Sequence, residues 1–257
     1  MSKANMNSNN NRLQSITAKL VQMRSVTVNE LADEFAISKE TIRRDLNELE
    51  QRGIAVRTYG GAALAEHVRG QFFFRGRIDV NSPAKMRIGK FAAKMVNDGD
   101  TIFLDASTTC LYLAKQLVDK QITVITNSIQ ILFELIDFEN ITLVSTGGVV
   151  RPKEMDFFGT SSEASIGNFY AKKAFFSTTG FDIQYGATSS FEVVARLQRL
   201  MIQNAASTVF LCDQSKFGKT CFNKVADVMD LDYIITDGSL PESWEEQLPS
   251  KLKVLHC

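Results

Sequence analysis

The sequence predicts an α/β chain in two parts, a small helical domain followed by a mainly parallel sheet with helices on both faces. Three observations carry this. Lys+Arg and Asp+Glu both number 29, yet residues 1–90 hold 15 basic against 9 acidic side chains and residues 91–257 hold 14 against 20. Residues 12–52 repeat apolar side chains at spacings of three and four, the period of amphipathic helices. Beyond residue 100, short β-branched runs alternate with helical stretches, as crossover helices between parallel strands require. A length of 257 residues suits one large or two small domains, at roughly 100–200 residues each.

Composition narrows the class. Hydrophobic residues are 44% and charged residues 23%, which excludes wholesale disorder. No apolar run reaches the length of about 18 residues that a membrane span needs, so no membrane association is expected. Residues 1–11 are Asn- and Ser-rich, lack the apolar core of a signal peptide and read as a disordered tail. Cys110, Cys212, Cys221 and Cys257 show no C-x-x-C spacing, and His67 and His256 complete the possible soft ligands. Neither metal nor cofactor is expected, and reduced thiols in a cytoplasm are the reading. A basic start on an acidic body suggests that the first part meets a polyanion.

In the first domain, residues 12–62, a helix over 12–24 places Leu13, Ile16, Leu20 and Met23 on one face. Ser25–Val28 reads as a short strand. Asn29 then caps a helix over Glu30–Phe35, Ala36-Ile37 turns the chain, and Ser38 caps a third helix over 39–52 that Gly53 ends. Two helices joined by a tight turn make a helix-turn-helix. In the third helix Ile42, Leu46 and Leu49 face the core, which puts Glu40, Arg43, Arg44 and Asn47 on the opposite side with Ser38, Lys39 and Thr41 at the N-terminal end. Such side chains suit a major groove, where arginine pairs with guanine or phosphate. A charged face on a lone helix usually means only solvent. Here it is followed by an extended segment, 54–61, with Arg57, Tyr59 and a Gly60-Gly61 turn, which reads with the short strand as a wing beside DNA.

Residues 63–82 read as a linker containing Arg69, Arg75, Arg77 and Phe72-Phe73-Phe74, whose exposure would be costly and which are expected to dock on the second domain or another subunit. The second domain, 83–257, opens with a helix that has Asn81 or Ser82 as its cap and Pro83 at its first position, running to about Val96. Strands follow at 101–104, 122–126, 141–145, 173–178, 207–212 and 233–236, with helices near 109–118, 129–138, 160–169 and 191–206.

Parallel sheets bind ligands outside the carboxyl ends of their strands. Those ends carry Asp105-Ala106-Ser107-Thr108-Thr109, Thr126-Asn127, Thr146-Gly147-Gly148, Thr179-Gly180-Phe181-Asp182 and Asp213-Gln214-Ser215-Lys216. Each alone is as often a cap or a turn. Together they form a set: Ser107, Thr108 and Thr109 precede a helix N-terminus that favours an anion, Lys216 adds a charge, and Asp105, Asn127 and Asp182 suit sugar hydroxyls.

The segment Ser38-Lys39-Glu40-Thr41-Ile42-Arg43-Arg44-Asp45-Leu46-Asn47-Glu48-Leu49-Glu50, with Gly53 and Tyr59-Gly60-Gly61-Ala62, resembles the recognition helix and wing of the DeoR family of bacterial transcriptional repressors. The strand-end segments are similar to that family's L-D-x-G-T-T, T-N, T-G-G, G-x-D and D-x-S-K-F-G. The resemblance covers about residues 12–240. It implies an N-terminal winged helix-turn-helix domain and a second domain resembling sugar-phosphate isomerases, which senses a phosphorylated sugar without converting it. Operator DNA, a sugar phosphate and further copies of the chain, as homodimer or homotetramer, are the implied partners.

Two departures stand out. Ser107 occupies a place usually held by Gly, and Phe191 and Val194 stand where Asn and an acid are common. The competing readings are an isomerase-like enzyme with a vestigial DNA-binding domain, for which Glu192 is the best remaining carboxylate, and a plain dimerisation scaffold.

Overall fold

The structure, a computed structural model, describes residues 12, 13, 15–17, 19, 20, 23, 25–65 and 72–257. The expected tail, Arg69, and the side chains of Phe72, Phe73 and Arg75 lie outside the described residues. The chain divides into two compact units, Met1–Val80 and Asn81–Cys257.

In the first unit the described residues between 12 and 23 are helical (α1) and bury Leu13, Ile16 and Leu20. Met23, expected on the same face, is 56% exposed; it lies past the last turn that packs on the core. After β1 (Ser25–Thr27) comes α2 (Val28–Phe35). Its cap is Thr27 and not Asn29. Thr27 Oγ1 accepts the Glu30 N–H at 3.2 Å and Glu30 Oε2 accepts the Thr27 N–H at 3.1 Å. This reciprocal box satisfies two backbone donors where a lone Asn29 would satisfy one, so the helix starts earlier. Ala36 turns in the left-handed region at φ 51°, and Ser38 caps α3 (Lys39–Gln51) by accepting the Thr41 N–H.

β2 (Ala55–Thr58) and β3 (Gly61–Leu64) form the wing, in an antiparallel sheet of order β1-β3-β2. A Cβ on Gly61 would lie 2.0 Å from the Val26 carbonyl oxygen, so this crossing admits glycine alone. Within the segment read as linker, β3 ends at Leu64 and α4 (Phe72–Asp79) follows, with Phe74 fully buried.

The second unit runs α5 (Ser82–Ala93), β4 (Thr101–Leu104), α6 (Thr108–Ala114), β5 (Ile122–Thr126), α7 (Ile129–Leu135) and β6 (Ile141–Ser145). It continues with β7 (Val149–Arg151), β8 (Asp156–Phe158), α8 (Thr160–Gly167), β9 (Lys173–Phe176), β10 (Gly180–Asp182), β11 (Gly186–Ser189) and α9 (Glu192–Gln203). It closes with β12 (Thr208–Leu211), β13 (Asn223–Ala226), β14 (Tyr233–Thr236), α10 (Glu242–Glu245) and β15 (Lys253–His256). The main sheet has seven strands in the order β15-β14-β12-β9-β4-β5-β6, and every neighbouring pair in it is parallel. The chain starts in the middle at β4, builds outward to β6, then returns to β9 and builds the other way to β15. Strand order therefore reverses between β4 and β9, and ligands of such sheets bind beyond the carboxyl ends at that switch point. Three features add to the sequence reading: the β7–β8 hairpin, the antiparallel sheet β10-β11-β13 and the edge strand β15.

On one face Phe103, Ile125 and Ala174 pack against Leu197 and Met201 of α9 and Ile166 of α8. Another core joins Phe176, Phe210 and Phe181 to Trp244, with the Phe181 and Trp244 rings 5.7 Å apart and near perpendicular. Cys110 and Cys212 are fully buried, and burial pushes both thiols up. At the amino ends of the central strands β4 and β9, Asp100 meets Lys172 at 2.7 Å and Lys173 at 2.9 Å. Burial pushes its carboxyl up, but hydrogen bonds from Lys172, the Asn97 N–H and Lys173, together with the Lys173 charge, outweigh it and hold the carboxyl at about 2. The folded value lies below the unfolded one near 4. The stabilisation is therefore complete above about pH 4 and lost as pH falls toward 2, on the order of 2 kcal/mol in all. Urea unfolding across that window should show the slope in the wild type and a flatter one in Asp100→Asn; equal slopes would remove Asp100 as its source.

Candidate DNA interface and effector site

The two faces of α3 separate as their spacing requires. Ile42, Leu46 and Leu49 are buried, while Ser38, Lys39, Glu40, Arg43, Arg44 and Asn47 are exposed and Thr41 is half-buried. Ser38 and Thr41 share a hydroxyl contact of 2.8 Å at the cap. Arg43 reaches Glu40 at 3.4 Å with both side chains more than half exposed, a pairing of little energy. Arg44 makes no ion pair among the described residues. At the tip of the wing Tyr59 is fully exposed. Arg57 is half-buried; its backbone N–H donates to Glu50 Oε1 at 3.0 Å, and its Nη1 is buried without a partner among the described residues. Residues 12–65 hold eight Lys and Arg against seven Asp and Glu. The positive potential is thus a matter of which face carries the charges and not of the unit's net charge.

One residue of the recognition helix does something its sequence position hides. Asp45 is 4% exposed. Its two oxygens take Arg12 Nε at 2.6 Å and Arg12 Nη2 at 3.0 Å, a fork that ties α3 to α1.

In the second unit the strand-end residues gather beyond the carboxyl ends of β4, β5, β6, β9 and β12. Asp105, one residue past β4, is 3% exposed. Its Oδ1 accepts the Ser107 N–H at 3.0 Å, and its Oδ2 accepts the Ser177 N–H at 3.3 Å and Gln198 Nε2 at 2.5 Å. Ser107 is the N-cap of α6 and accepts the Cys110 N–H at 3.1 Å. The Thr108 and Thr109 N–H groups therefore start the helix with no intrahelical partner, and the fully buried Thr109 Oγ1 has none among the described residues either. Across the sheet Leu104 is in register with Thr126 and Thr126 with Ser145, so Asp105, Asn127 and Thr146 stand side by side. Asn127 is 5% exposed; its Nδ2 donates to the Phe157 carbonyl at 3.2 Å and its Oδ1 has no partner among the described residues.

Lys216 enters from the turn after β12. Its Nζ donates to Ser177 Oγ at 2.6 Å and lies 3.6 Å from Asp213 Oδ2. Burial pushes the Asp213 carboxyl up, yet the Lys216 charge, bonds from Ser215 and Asn81 and the Lys85 charge bring it below the ordinary value. Asn81, at the start of α5, does not use its side chain as a cap. It holds a left-handed backbone at φ 54° and donates Nδ2 to Asp213 Oδ1 and Ser215 Oγ, both at 3.0 Å.

The remaining expected residues are placed as follows. Thr146 is buried, with its hydroxyl 3.3 Å from the Gly147 carbonyl. Gly148 has φ +114°, and a Cβ there would meet the Phe158 carbonyl oxygen at 2.6 Å. Asp182 is half-buried and accepts the Gln184 N–H at 2.9 Å within the β10–β11 turn. Glu192 is exposed and pairs with Arg199 at 2.7 Å. No hydrogen bond joins Asp182 or Glu192 to the Asp105–Ser177–Lys216 group among the described residues. Ser177, Gln198 and Asn81 belong to the hydrogen-bonded network although the strand-end survey passed them over. Gln198 had a signal: Ala195, Gln198 and Met201 share one buried stripe of α9, where a polar residue is out of place.

A winged helix with an exposed basic face on α3, followed by a parallel α/β unit with a cluster of polar side chains at its switch point, defines a DNA-binding regulator with a ligand-sensing body. Residues 12–68 match the DeoR-like helix-turn-helix domain and residues 80–238 the DeoR C terminal sensor domain. The chain is 40% identical over 238 residues to the uncharacterized HTH-type transcriptional regulator YulB of Bacillus subtilis (strain 168), covering 92% of each chain. It is 34% identical over 226 residues to the HTH-type transcriptional repressor GlcR of the same organism, covering 88% of this chain and 87% of that one. Among solved structures, ribose 5-phosphate isomerase A from Methanocaldococcus jannaschii aligns at a TM-score of 0.41 and 19% identity, over 53% of this chain and 55% of that one. The chain belongs to the DeoR family and is a DNA-binding transcriptional regulator.

Proposed function

We propose that this regulator represses a carbohydrate-utilisation operon, binds its operator as a homodimer or homotetramer, and is released by a phosphorylated sugar. The α3 face with Lys39, Arg43, Arg44 and Asn47 enters the major groove, and Arg57 and Tyr59 of the wing lie along the backbone. In the second unit the phosphate sits against the Ser107–Thr109 loop with Lys216. Asp105, Asn127 and Asp182 take the hydroxyls, and Thr146, Gly147, Gly148 and Glu192 border the site.

The observation that carries this reading is the set of buried polar atoms near the strand ends that lack partners among the described residues, Thr109 Oγ1, Asn127 Oδ1 and Gln198 Oε1. Buried polar groups are nearly always paired, so such a set marks a place for a polar ligand. Sensing is favoured over isomerisation because Asp105 is anchored by three N–H donors, which leaves one acceptor position on Oδ1 for a hydroxyl, and Glu192 is exposed and ion-paired; neither is placed as a general base. Among the described residues no helix is long and apolar enough to cross a membrane.

Lys216→Ala tests the phosphate site. A hydrogen bond to a charged group contributes about 1.5–3 kcal/mol, so sugar-phosphate affinity should fall by about one to two decades in calorimetry. Operator affinity without the sugar phosphate should not change, because Lys216 lies in the other unit. Equal sugar-phosphate affinities of the two proteins would remove Lys216 from the site.

A further inference from the structure

Gln198 lies in the middle of α9, away from every strand-end loop, yet its side chain reaches the groups just past β4 and β9 and is 2% exposed. Its Nε2 donates to Asp105 Oδ2 at 2.5 Å and to the Ser177 carbonyl at 2.8 Å. Both hydrogens of the amide are used on groups that only accept. Turning the amide over would set Oε1 against a carboxylate and a carbonyl, so the orientation is fixed by its partners. Oε1 is left buried with no hydrogen-bond partner among the described residues.

Asn127 repeats the arrangement. Its Nδ2 is held by the Phe157 carbonyl and its Oδ1 is buried with no partner among the described residues. The two residues address the same face of the sheet. Phe103 and Ile125 pack against α9, and alternate residues of a strand share a face, so Asp105 and Asn127 continue that face toward the helix that carries Gln198. The two free oxygens are acceptors. A phosphate dianion has no hydrogen to give them, and a cation would compete with the N–H donors already on Asp105. They call for a ligand with O–H donors.

Building on the sensing function proposed above, we propose that Gln198 is a specificity-determining residue of the effector site. Its Oε1, with Asn127 Oδ1, accepts hydrogen bonds from hydroxyl groups on the carbon chain of the phosphorylated sugar. Lys216 and the Thr108 and Thr109 N–H groups hold the phosphate. Gln198 thereby distinguishes a polyol phosphate from inorganic phosphate and from a deoxygenated analogue.

The test is a cycle between protein and ligand, read by calorimetry on the full chain. Inorganic phosphate and a panel of pentose 5-phosphates and hexose 6-phosphates are titrated first. The tightest sugar phosphate is then compared with its monodeoxy analogues on wild type and on Gln198→Met, which keeps the length of the side chain and removes the acceptor. The wild type should lose about tenfold or more for one deoxy analogue, and Gln198→Met should bind that analogue and the parent sugar phosphate within about twofold of each other. A residue that merely holds Asp105 in place would weaken both ligands alike and leave the ratio unchanged. Gln198→Lys supplies a second variant if the methionine does not fold, since an ammonium can donate to Asp105 and the Ser177 carbonyl and cannot accept; charge cancels in the ratio. An unchanged parent-to-deoxy ratio at every hydroxyl overturns the assignment of Gln198 and leaves sugar-phosphate sensing intact. A wild-type chain that binds none of the panel overturns the sensing function itself, and Gln198's role with it.

Discussion

Alanine at both Arg43 and Arg44 should lower operator affinity by about 2–6 kcal/mol, taking about 1–3 kcal/mol for each arginine that meets a base or a phosphate. Both project from the face of α3 opposite Ile42, Leu46 and Leu49. Neither is held in a strong internal pair, since the Arg43–Glu40 contact is long and solvent-exposed. Their guanidinium groups are thus available to DNA at the cost of no more than the weak Arg43–Glu40 contact. Single variants separate the two kinds of contact. A base contact relaxes specificity at one position of the operator, whereas a phosphate contact weakens all sequences alike and makes the salt dependence shallower by about one unit. Fluorescence anisotropy against the regulator's own promoter and against a scrambled duplex measures both effects. Undiminished operator binding by the double variant would show that another surface carries the affinity.

Arg12→Ala should destabilise the winged helix by about 3 kcal/mol, the lower end of the range for stripping one partner from a buried ion pair. Asp45 is the vulnerable member: it is nearly sealed from water and its two oxygens rely on the Arg12 fork. The arginine side chain is itself 20% exposed, which tempers the loss. Replacing both partners, as Arg12→Met with Asp45→Leu, should restore most of the stability, because an apolar pair carries no stranded charge. Urea unfolding of the three proteins provides the comparison. A loss below about half a kcal/mol in Arg12→Ala, the size of an ordinary surface change, would show that water or another donor replaces the arginine.

What the sequence discloses follows the range of the forces involved. The helix-turn-helix is built by rules acting over three or four residues, and Ser38, Gly53 and the Ile42–Leu46–Leu49 stripe all serve as that spacing demands. Thr27 displaced Asn29 as a cap because a box of two reciprocal bonds outweighs one side chain, a contest still readable in the Thr-x-x-Glu pattern. The polar cluster was legible wherever its residues directly follow a strand, as Asp105 and Asn127 do. It was opaque where the partner arrives from elsewhere in the chain. Gln198 meets Asp105 across 93 positions, Asn81 meets Asp213 across 132 and Arg12 meets Asp45 across 33. No local pattern fixes those meetings; they depend on how the sheet is ordered and which helix covers which face. The β7–β8 hairpin escaped for a different reason, since its strands have three residues each and offer too little alternation to register as a period.

The uniform direction of the seven strands has an evolutionary consequence. The contacts that keep the domain folded lie along the strands, in paired backbones and in the apolar faces beneath α8 and α9. The strand-end groups Asp105, Asn127 and Thr146 lie one residue beyond them, on the connections that follow β4, β5 and β6. Ancestry of the frame and ancestry of the preference are thereby uncoupled. A replacement such as Ser at 107, three residues past β4, changes this layer while the strands beneath stay as they were. A lineage of such regulators can acquire a new nutrient signal by a handful of point changes, with its scaffold and its DNA-reading half inherited whole.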